Sequence, residues 1–219
     1  MLQVLAGLIV MWAFQQFVIK IYYIPSASME PTLHSSGDFS DRILVNRLPM
    51  AKDSLKSGSI VVFQRPKAWA SPATKQAGFN STLLRGLSSF LGIGPGANDL
   101  LVKRIVAIGG QSVSCCDAAG KIVIDNEPLR ANVLDYPFVS GVRDCDTSLK
   151  SLRCFETFIV PKGEYFVLGD NRPNSNDSFG LCRNRQTIVQ NCVRFVPKKD
   201  LVGTVMAVVF PFNAIRAVS

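Results

Sequence analysis

The residues with the clearest chemical potential are two serines in a proline-framed segment and a lysine in an apolar run. Pro25 and Pro31 restrict the backbone around Ser26 and Ser28, which predicts a rigid, extended and exposed loop. Lys103 stands in the sequence LLVKRIV, where burial would lower its pKa from about 10.4 towards neutrality, because a charged amine is penalised away from water. A neutral amine beside a serine hydroxyl can take the hydroxyl proton, as an imidazole would.

The composition argues against several other chemistries. The chain of 219 residues has one histidine, His34, which argues against a Ser-His-Asp triad and against most zinc sites. Its six cysteines include no C-x-x-C pair, which argues against zinc-ribbon and thioredoxin-type sites. We therefore expect no metal and no other cofactor. The net charge of +8 suits an anionic membrane or nucleic acid, but no basic stripe interleaved with aromatic residues is present, so we do not expect nucleic-acid binding.

The N-terminal segment is the most apolar part of the chain. Val4–Phe14 contains no polar side chain, and Met1–Ile19 contains only three glutamines. A helix that crosses a bilayer needs about 20 mostly apolar residues, and the lysine and two tyrosines that follow are typical of the membrane interface. We therefore predict a transmembrane anchor over residues 1–23. The alternative is a cleaved signal peptide that ends at Ser26–Ser28. A signal peptide has basic residues before its apolar run, and none precedes the run here.

Four of the cysteines form two closely spaced pairs. Cys145 is close to Cys154 in the sequence, and Cys182 is close to Cys192, so that a disulfide would close each polar segment at low entropic cost. Cys115 and Cys116 are adjacent and are not expected to bond easily to each other, and the sequence does not decide the pairing. Disulfides indicate an oxidising compartment, which places the body outside the cell and the N-terminus in the cytoplasm. The alternative is a set of free thiols in the cytosol.

The body of the chain is predicted to be mainly β. Short runs of β-branched and aromatic residues alternate with glycine-containing turns, which is typical of an all-β or mostly-β domain. A stretch over 66–98, rich in Ser, Gly, Ala and Pro, interrupts this pattern as a variable insertion, and its leucines at helical spacing predict a short amphipathic helix. The predicted strands are 42–45, 59–63, 101–106, 121–124, 157–160, 164–168 and 202–210.

Three segments together resemble the sequence boxes of bacterial type I signal peptidases. Residues 25–33 (PSASMEPTL) are similar to the family's P-S-x-S-M-x-P-T-L box, 103–110 (KRIVAIGG) to its K-R box, and 169–178 (GDNRPNSNDS) to its G-D-N-x-x-x-S-x-D-S box. They occur in family order behind an apolar segment. The resemblance implies a signal-peptidase/LexA-like fold of antiparallel sheets, with a catalytic domain over 24–219 and a variable β subdomain at about 110–157.

The resemblance also implies catalytic roles for individual residues. Ser28 is the nucleophile and Lys103 its general base. The oxyanion hole consists of the backbone N–H of Ser28 and the hydroxyl of Ser26, donors that act on charge developing in the transition state. Ser175 is expected to hydrogen-bond to the lysine amine and orient it. The alternative for Ser175 is an ordinary turn residue, because Asn-Ser-Asn-Asp favours turns in any case.

Support and substrate binding are implied in the same way. Asp170 and Asp177 are expected to brace the loop that carries Ser175. The family cleaves secretory preproteins after A-x-A-like sites, so the small side chains at positions −3 and −1 imply shallow apolar pockets. The substrate is expected to bind extended, against an exposed strand edge. The predicted pocket residues are Ile24, Pro25, Met29, Leu33 and Val102.

The chain departs from the family pattern at two positions. Phe179 follows the third box, where many relatives have an arginine, so a salt bridge to Asp177 cannot form from that position. Leu101 stands where relatives often have tyrosine, a change that would alter the wall of the substrate pocket. The residues that could replace the missing arginine are Arg172, Arg183 and Arg185.

The sequence thus predicts a membrane-bound, monomeric serine endopeptidase. It would remove signal peptides from secreted preproteins at the outer face of the plasma membrane, in contact with lipid. Two alternatives stay open. One is a LexA-like self-cleaving Ser-Lys protease, which predicts a soluble chain with a DNA-binding domain, and the other is a non-catalytic, disulfide-stapled β domain displayed on a membrane.

Overall fold

The structure is a computed structural model. Within the described residues, no helix combines the length and the apolar character needed to cross a bilayer. Most of the predicted anchor and of the predicted 66–98 insertion lie outside these residues. The structure describes residues 3, 7, 12, 17–35, 37–48, 55–69, 100–131, 133–134, 145–148, 151, 153–183 and 192–218.

The described residues form two antiparallel sheets, which confirms the mainly β prediction. The strands are β1 (Ile19–Tyr23), β2 (Arg42–Asn46), β3 (Ile60–Gln64), β4 (Leu100–Ile108), β5 (Ser112–Cys115), β6 (Ile122–Ile124), β7 (Glu127–Pro128), β8 (Phe155–Ile159), β9 (Glu164–Leu168), β10 (Val196–Pro197), β11 (Leu201–Phe210) and β12 (Arg216–Ala217). The larger sheet has the order β1-β2-β11-β3-β4-β9-β10, and β12 pairs with β11. The smaller sheet has the order β7-β6-β5-β8 and occupies the stretch predicted as a β subdomain.

The first strand overlaps the predicted anchor. β1 pairs along its whole length with β2, from Ile19 opposite Asn46 to Tyr23 opposite Arg42. Residues 19–23, the last five positions of the predicted anchor, therefore belong to the sheet. The physical reason is that β-branched and aromatic residues suit a pleated strand as well as they suit a membrane interface.

β4 lies in the interior of the larger sheet. Its neighbours are β3, which pairs with residues 100–104, and β9, which pairs with residues 104–108. The β9 register shifts between Ile105 and Ala107, and such bulges re-aim side chains. Both faces of the strand are covered here, so the consecutive residues Lys103 and Arg104 are both buried. The fold thus places two cationic side chains in the protein interior.

Three disulfides join all six cysteines. Cys145 is bonded to Cys154 and Cys182 to Cys192, the two pairs that sequence proximity favoured. The expectation that the adjacent Cys115 and Cys116 would not bond easily to each other is wrong, because the structure joins them in the third disulfide. The sulfurs of Cys115, Cys116 and Cys145 lie within 4.8 Å of one another, but a disulfide sulfur lacks the thiolate that ligates metals.

Candidate active site

The loop after β1 presents Ser28 from a rigid turn. Ser26 is extended, with φ −137° and ψ 146°, and Ala27–Met29 form one turn of 3₁₀ helix. The backbone N–H groups of Thr32 and Leu33 both donate to the carbonyl of Met29 at 2.9 Å. The side chains of Met29 and Leu33 are fully buried in the core with β2 and β3. Apolar packing on one side of the loop therefore holds the Ser28 hydroxyl in a defined position on the other.

Lys103 meets this hydroxyl from β4. Its Nζ lies 2.6 Å from Ser28 Oγ and 3.0 Å from the carbonyl oxygen of Val102. The lysine is only 3% exposed, and neither of these two acceptors is charged. Desolvation is the largest influence on the amine and lowers its pKa to about 8, against the opposing field of Asp177 and Asp170. A substantial neutral fraction at mildly alkaline pH leaves the nitrogen lone pair free to accept the serine proton.

Arg104 holds the loop that contains Asp170 in place, a role that the sequence analysis did not assign to it. Its Nε and Nη2 bind the two carboxylate oxygens of Asp170 at 2.9 and 2.8 Å, and its Nη1 donates to the carbonyl of Gly58 at 2.7 Å. The hydroxyl of Thr32 donates to the same carboxylate at 2.6 Å. Asp170 therefore joins the third-box loop (169–178) to both β4 and the predicted nucleophile loop (24–33), which carries Ser28. The signal in the sequence was the arginine directly after Lys103, but its partner is distant in the chain.

Asp177 receives its arginine from further along the chain. Arg183 Nη2 lies 2.9 and 2.8 Å from the two carboxylate oxygens of Asp177, and Arg183 Nη1 donates to the carbonyl of Ser175. Phe179 instead packs against Phe155, with ring centroids 4.8 Å apart. Of the three arginines considered, Arg183 forms this pair. Arg172 donates to the carbonyl of Gly169, and Arg185 lies outside the described residues.

Close backbone contact joins the third-box loop to the nucleophile loop. Asn171 donates from its backbone N–H to the carbonyl of Ser28 and from its side-chain amide to the carbonyl of Ala27, both at 3.1 Å. A Cβ atom built on Gly169 would overlap the carbonyl oxygen of Ser28 and the side chain of Ser175. Only glycine at position 169 allows the two loops to approach this closely. Asn171 is, after Arg104, the second residue of the site to which the sequence analysis assigned no role.

Replacing Gly169 with alanine is therefore expected to displace the nucleophile loop. A shift of about 1 Å at a reacting group can reduce the rate about 100-fold, so kcat should fall by about that factor. Overpacking should also cost about 1–3 kcal/mol of unfolding free energy. The measurement is kcat of the variant, together with a thermal unfolding scan that shows the chain to be folded. Unchanged kcat would show that the loop tolerates a methyl group here.

Comparison with known proteins places this arrangement in a family. The family model described as signal peptidase, peptidase S26, matches residues 1–210. The chain belongs to the signal peptidase family. A probable signal peptidase I of Mycobacterium leprae is 34% identical over 205 residues, which cover 89% of this chain and 70% of that relative. These matches identify the protein as a signal peptidase hydrolase.

Two more distant similarities involve a protein named inactive and a solved structure. A protein of Staphylococcus aureus strain MRSA252 named inactive signal peptidase IA is 25% identical over 96% of this chain and 89% of its own. A solved signal peptidase I from Enterococcus faecalis V583 is 23% identical, with a TM-score of 0.37, over 69% of this chain and 96% of that one. Because the signal peptidase family includes proteins named inactive, activity has to be argued from the residues of each member.

Two other serines of the signal peptidase boxes, Ser26 and Ser175, differ in their placement. Ser26 is exposed, and its Oγ lies 3.3 Å from Ser28 Oγ. Ser175 Oγ is buried and has no hydrogen-bond partner among the residues that the structure describes. The bond from Ser175 to Lys103 that the resemblance implied is therefore absent from the described structure, because Lys103 Nζ instead contacts Ser28 and Val102.

The residues expected to line the substrate pockets are mostly interior. Ile24, Met29 and Leu33 are no more than 2% exposed and pack together in one apolar cluster, which Val102 joins as a half-buried member. Pro25 is exposed. Three of the five thus form the apolar wall behind the nucleophile loop and present almost no surface of their own, whereas Val102 and Pro25 are accessible beside Ser28.

Proposed function

We propose that this signal peptidase removes N-terminal signal peptides from secreted preproteins after A-x-A-like sites, with Ser28 as nucleophile and Lys103 as general base. The observation that carries the proposal is the 2.6 Å contact between Lys103 Nζ and Ser28 Oγ, made by a buried amine whose pKa is lowered to about 8. At pH 7 about a tenth of such amines are neutral, compared with fewer than about one in a thousand at the ordinary lysine pKa.

The reaction follows from this pair of groups. As Ser28 Oγ attacks the carbonyl carbon of the scissile peptide bond, neutral Lys103 accepts the hydroxyl proton. The resulting ammonium gives that proton to the leaving nitrogen when the C–N bond breaks, which releases the mature chain and leaves the signal peptide as an ester on Ser28. A water molecule then attacks the ester carbonyl carbon while neutral Lys103 accepts a proton from the water. The Lys103 ammonium returns this proton to Ser28 Oγ as the ester C–O bond breaks, so the signal peptide leaves as a carboxylic acid and both the serine hydroxyl and the neutral amine are restored.

The charge that develops on the carbonyl oxygen needs donors. The backbone N–H of Ser28 and the hydroxyl of Ser26 are the proposed pair, and the 3.3 Å separation of the two serine oxygens supports their acting on one substrate carbonyl. Such donors contribute because their strength is realised mainly in the transition state. Loss of one typically lowers kcat by about 100-fold or more.

An unpaired stretch of β4 is available for the substrate backbone. β9 pairs only with residues 104–108, so within the described residues the β9-side edge of Leu100–Lys103 has no strand partner. An extended peptide added to this edge would pass Val102 and Lys103 and reach Ser28. Strand addition of this kind supplies affinity through main-chain hydrogen bonds that do not depend on the peptide sequence. This suits an enzyme that acts on many preproteins.

We further propose that the enzyme is a monomer held at the outer face of the plasma membrane by its apolar N-terminal segment, with its N-terminus in the cytoplasm.

A contiguous aromatic surface near β1 supports contact with lipid. Tyr23 bonds to Gly37 beside Phe39, which is 70% exposed. Arg42, opposite Tyr23, lies over the ring of Phe210, which contacts Phe212, itself 78% exposed. Aromatic side chains next to cationic ones are typical of membrane interfaces.

Cleavage of a purified preprotein tests the proposed function. Wild-type chain in detergent should release the mature protein, and sequencing of its new N-terminus should place the cut directly after an A-x-A motif. Ser28→Ala should reduce the rate by about 10⁴-fold or more, because the nucleophile is lost. Ser114→Ala, in the smaller sheet, is the matched control and should cleave normally. Cleavage elsewhere in the preprotein, or an active Ser28→Ala variant, would refute the proposal.

A further inference from the structure

A cavity of about 410 Å³ lies beside the nucleophile loop and is distinct from the contact between Ser28 and Lys103. Pro31 and Thr32 of the loop form part of its wall. Three arginines are among its lining residues, Arg104, Arg130 and Arg216. No acidic side chain is among the described residues of the lining. The rest of the wall is made of small apolar residues.

Two of these arginines are paired from behind the cavity wall. Arg104 binds Asp170, and Arg216 binds Asp41 at 2.8 Å. Both carboxylates are no more than 2% exposed and do not line the cavity. Arg130 is exposed and makes no ion pair or hydrogen bond within the part of the chain that the structure describes. Arg104 is only 6% exposed and its charge is taken up by Asp170, whereas the side chain of Arg216 remains 35% exposed. Arg130 has no counter-charge within the described residues, so Arg130 and Arg216 are the cations that the cavity offers to a ligand.

We propose that this cavity binds a phosphate-class anion, either free phosphate or the phosphate of an anionic phospholipid headgroup. The planar fork of a guanidinium group matches phosphate oxygens in a bidentate manner, and a phosphate can be shared by more than one arginine. The volume is within the range of small-molecule sites, so a glycerol unit attached to the phosphate also has room. Ala131, Ala217 and Val218 supply an uncharged wall for that part.

The position of the cavity gives such an anion a contact with the nucleophile loop. Arg216 Nη2 donates to the carbonyl of Thr32 at 2.8 Å and to the carboxylate of Asp41 at the same distance. The hydroxyl of Thr32 in turn donates to Asp170. An anion between Arg130 and Arg216 would share the guanidinium that holds Thr32, and would add a further restraint on the loop that carries Ser28.

Calorimetric titration of the purified full chain in a neutral detergent tests the site without reference to peptidase activity. Inorganic phosphate is added at constant ionic strength, because screening alters non-specific attraction. The wild-type chain should give saturable binding of one phosphate. Arg130→Gln should weaken it about tenfold, the effect of losing one charge-assisted hydrogen bond. Lys199→Gln removes the same charge near the start of β11, far from β12, and should change the affinity by less than about twofold.

Two further titrations distinguish the sources of the anion. Dihexanoyl phosphatidylglycerol carries a phosphate with net negative charge, and dihexanoyl phosphatidylcholine carries the same phosphate neutralised by choline. Binding of the first but not the second, with the same dependence on Arg130, assigns the site to an anionic lipid. Arg130-dependent binding of inorganic phosphate alone assigns it to a free anion, and either result supports the proposal. No saturable binding of phosphate or phosphatidylglycerol, or equal losses in Arg130→Gln and Lys199→Gln, would overturn it.

Discussion

Lys103→Met is expected to abolish preprotein cleavage, with a loss of about 10⁴-fold or more in kcat, while the protein stays folded. Methionine has a similar length and suits the buried position better than an amine does, so the unfolding free energy should not fall appreciably. Within the described part of the chain, the lost amine is the one group that contacts Ser28 Oγ and can accept its proton. The measurement is single-turnover cleavage of a preprotein alongside a thermal unfolding scan.

Lys121→Met is the matched control for this substitution. Lys121 is exposed between β5 and β6, so the same change there should leave the cleavage rate within about twofold of the wild type. An active Lys103→Met variant would show that another base deprotonates Ser28. Loss of folding without loss of chemistry per folded molecule would likewise remove Lys103 from the mechanism.

The second large effect is expected on stability. Arg104→Met should lower the free energy of unfolding by about 3–5 kcal/mol, because it leaves the buried carboxylate of Asp170 without its cation. The side chains of Arg104 and Asp170 are only 6% and 1% exposed, so water cannot take over the lost interaction. The measurement is denaturant unfolding of Arg104→Met, of Asp170→Asn and of the double variant that combines them.

The combined variant separates pairing from packing. Arg104→Met together with Asp170→Asn should cost less than the sum of the two single changes, because the second change removes the charge that the first leaves unpaired. Arg130→Met provides an exposed arginine as control, with an expected change within about 0.5 kcal/mol. A loss below about 1 kcal/mol for Arg104→Met would mean that this ion pair does not hold the two loops together.

The burial of Lys103 bears on the alternatives raised by the sequence. A non-catalytic β domain gains nothing from a lysine that is 3% exposed and whose closest partners are a hydroxyl and a carbonyl, since burial of an amine without a carboxylate partner is costly. The same arrangement is useful where a neutral amine is needed. Membership of the signal peptidase family, over residues 1–210, favours preprotein cleavage over LexA-like self-cleavage.

Local patterns predicted the reactive groups and most strands, because both depend on residue types at short spacing. The β-branched run around Lys103 indicated a strand, and the proline-framed serines indicated a rigid loop. Partnerships over long distances were not predictable in the same way. Arg104 and Asp170 are 66 residues apart, and no sequence pattern in either segment indicates that the two side chains form an ion pair. Asn171 lies in the third box, but its two hydrogen bonds to the nucleophile loop depend on how the two loops pack against each other.

Other differences arose where one pattern has two physical explanations. Residues 19–23 suit both a membrane interface and a strand, and pairing with β2 decided for the strand. Apolar residues around Ser28 suit both a pocket lining and a core, and Ile24, Met29 and Leu33 are core. Arg183 reaches Asp177 from within the turn that the Cys182–Cys192 disulfide closes, so the missing arginine at position 179 was compensated by tertiary structure.

The pH dependence of kcat/KM for preprotein cleavage tests the central claim most directly, because only the deprotonated lysine can act as base. Burial lowers the pKa of Lys103 to about 8, so the rate should rise about tenfold per pH unit below that value and level off above it. The inflection should therefore fall near pH 8. A rate that is flat from pH 6 to 10, or that inflects only near the ordinary lysine pKa of about 10.4, would contradict the account.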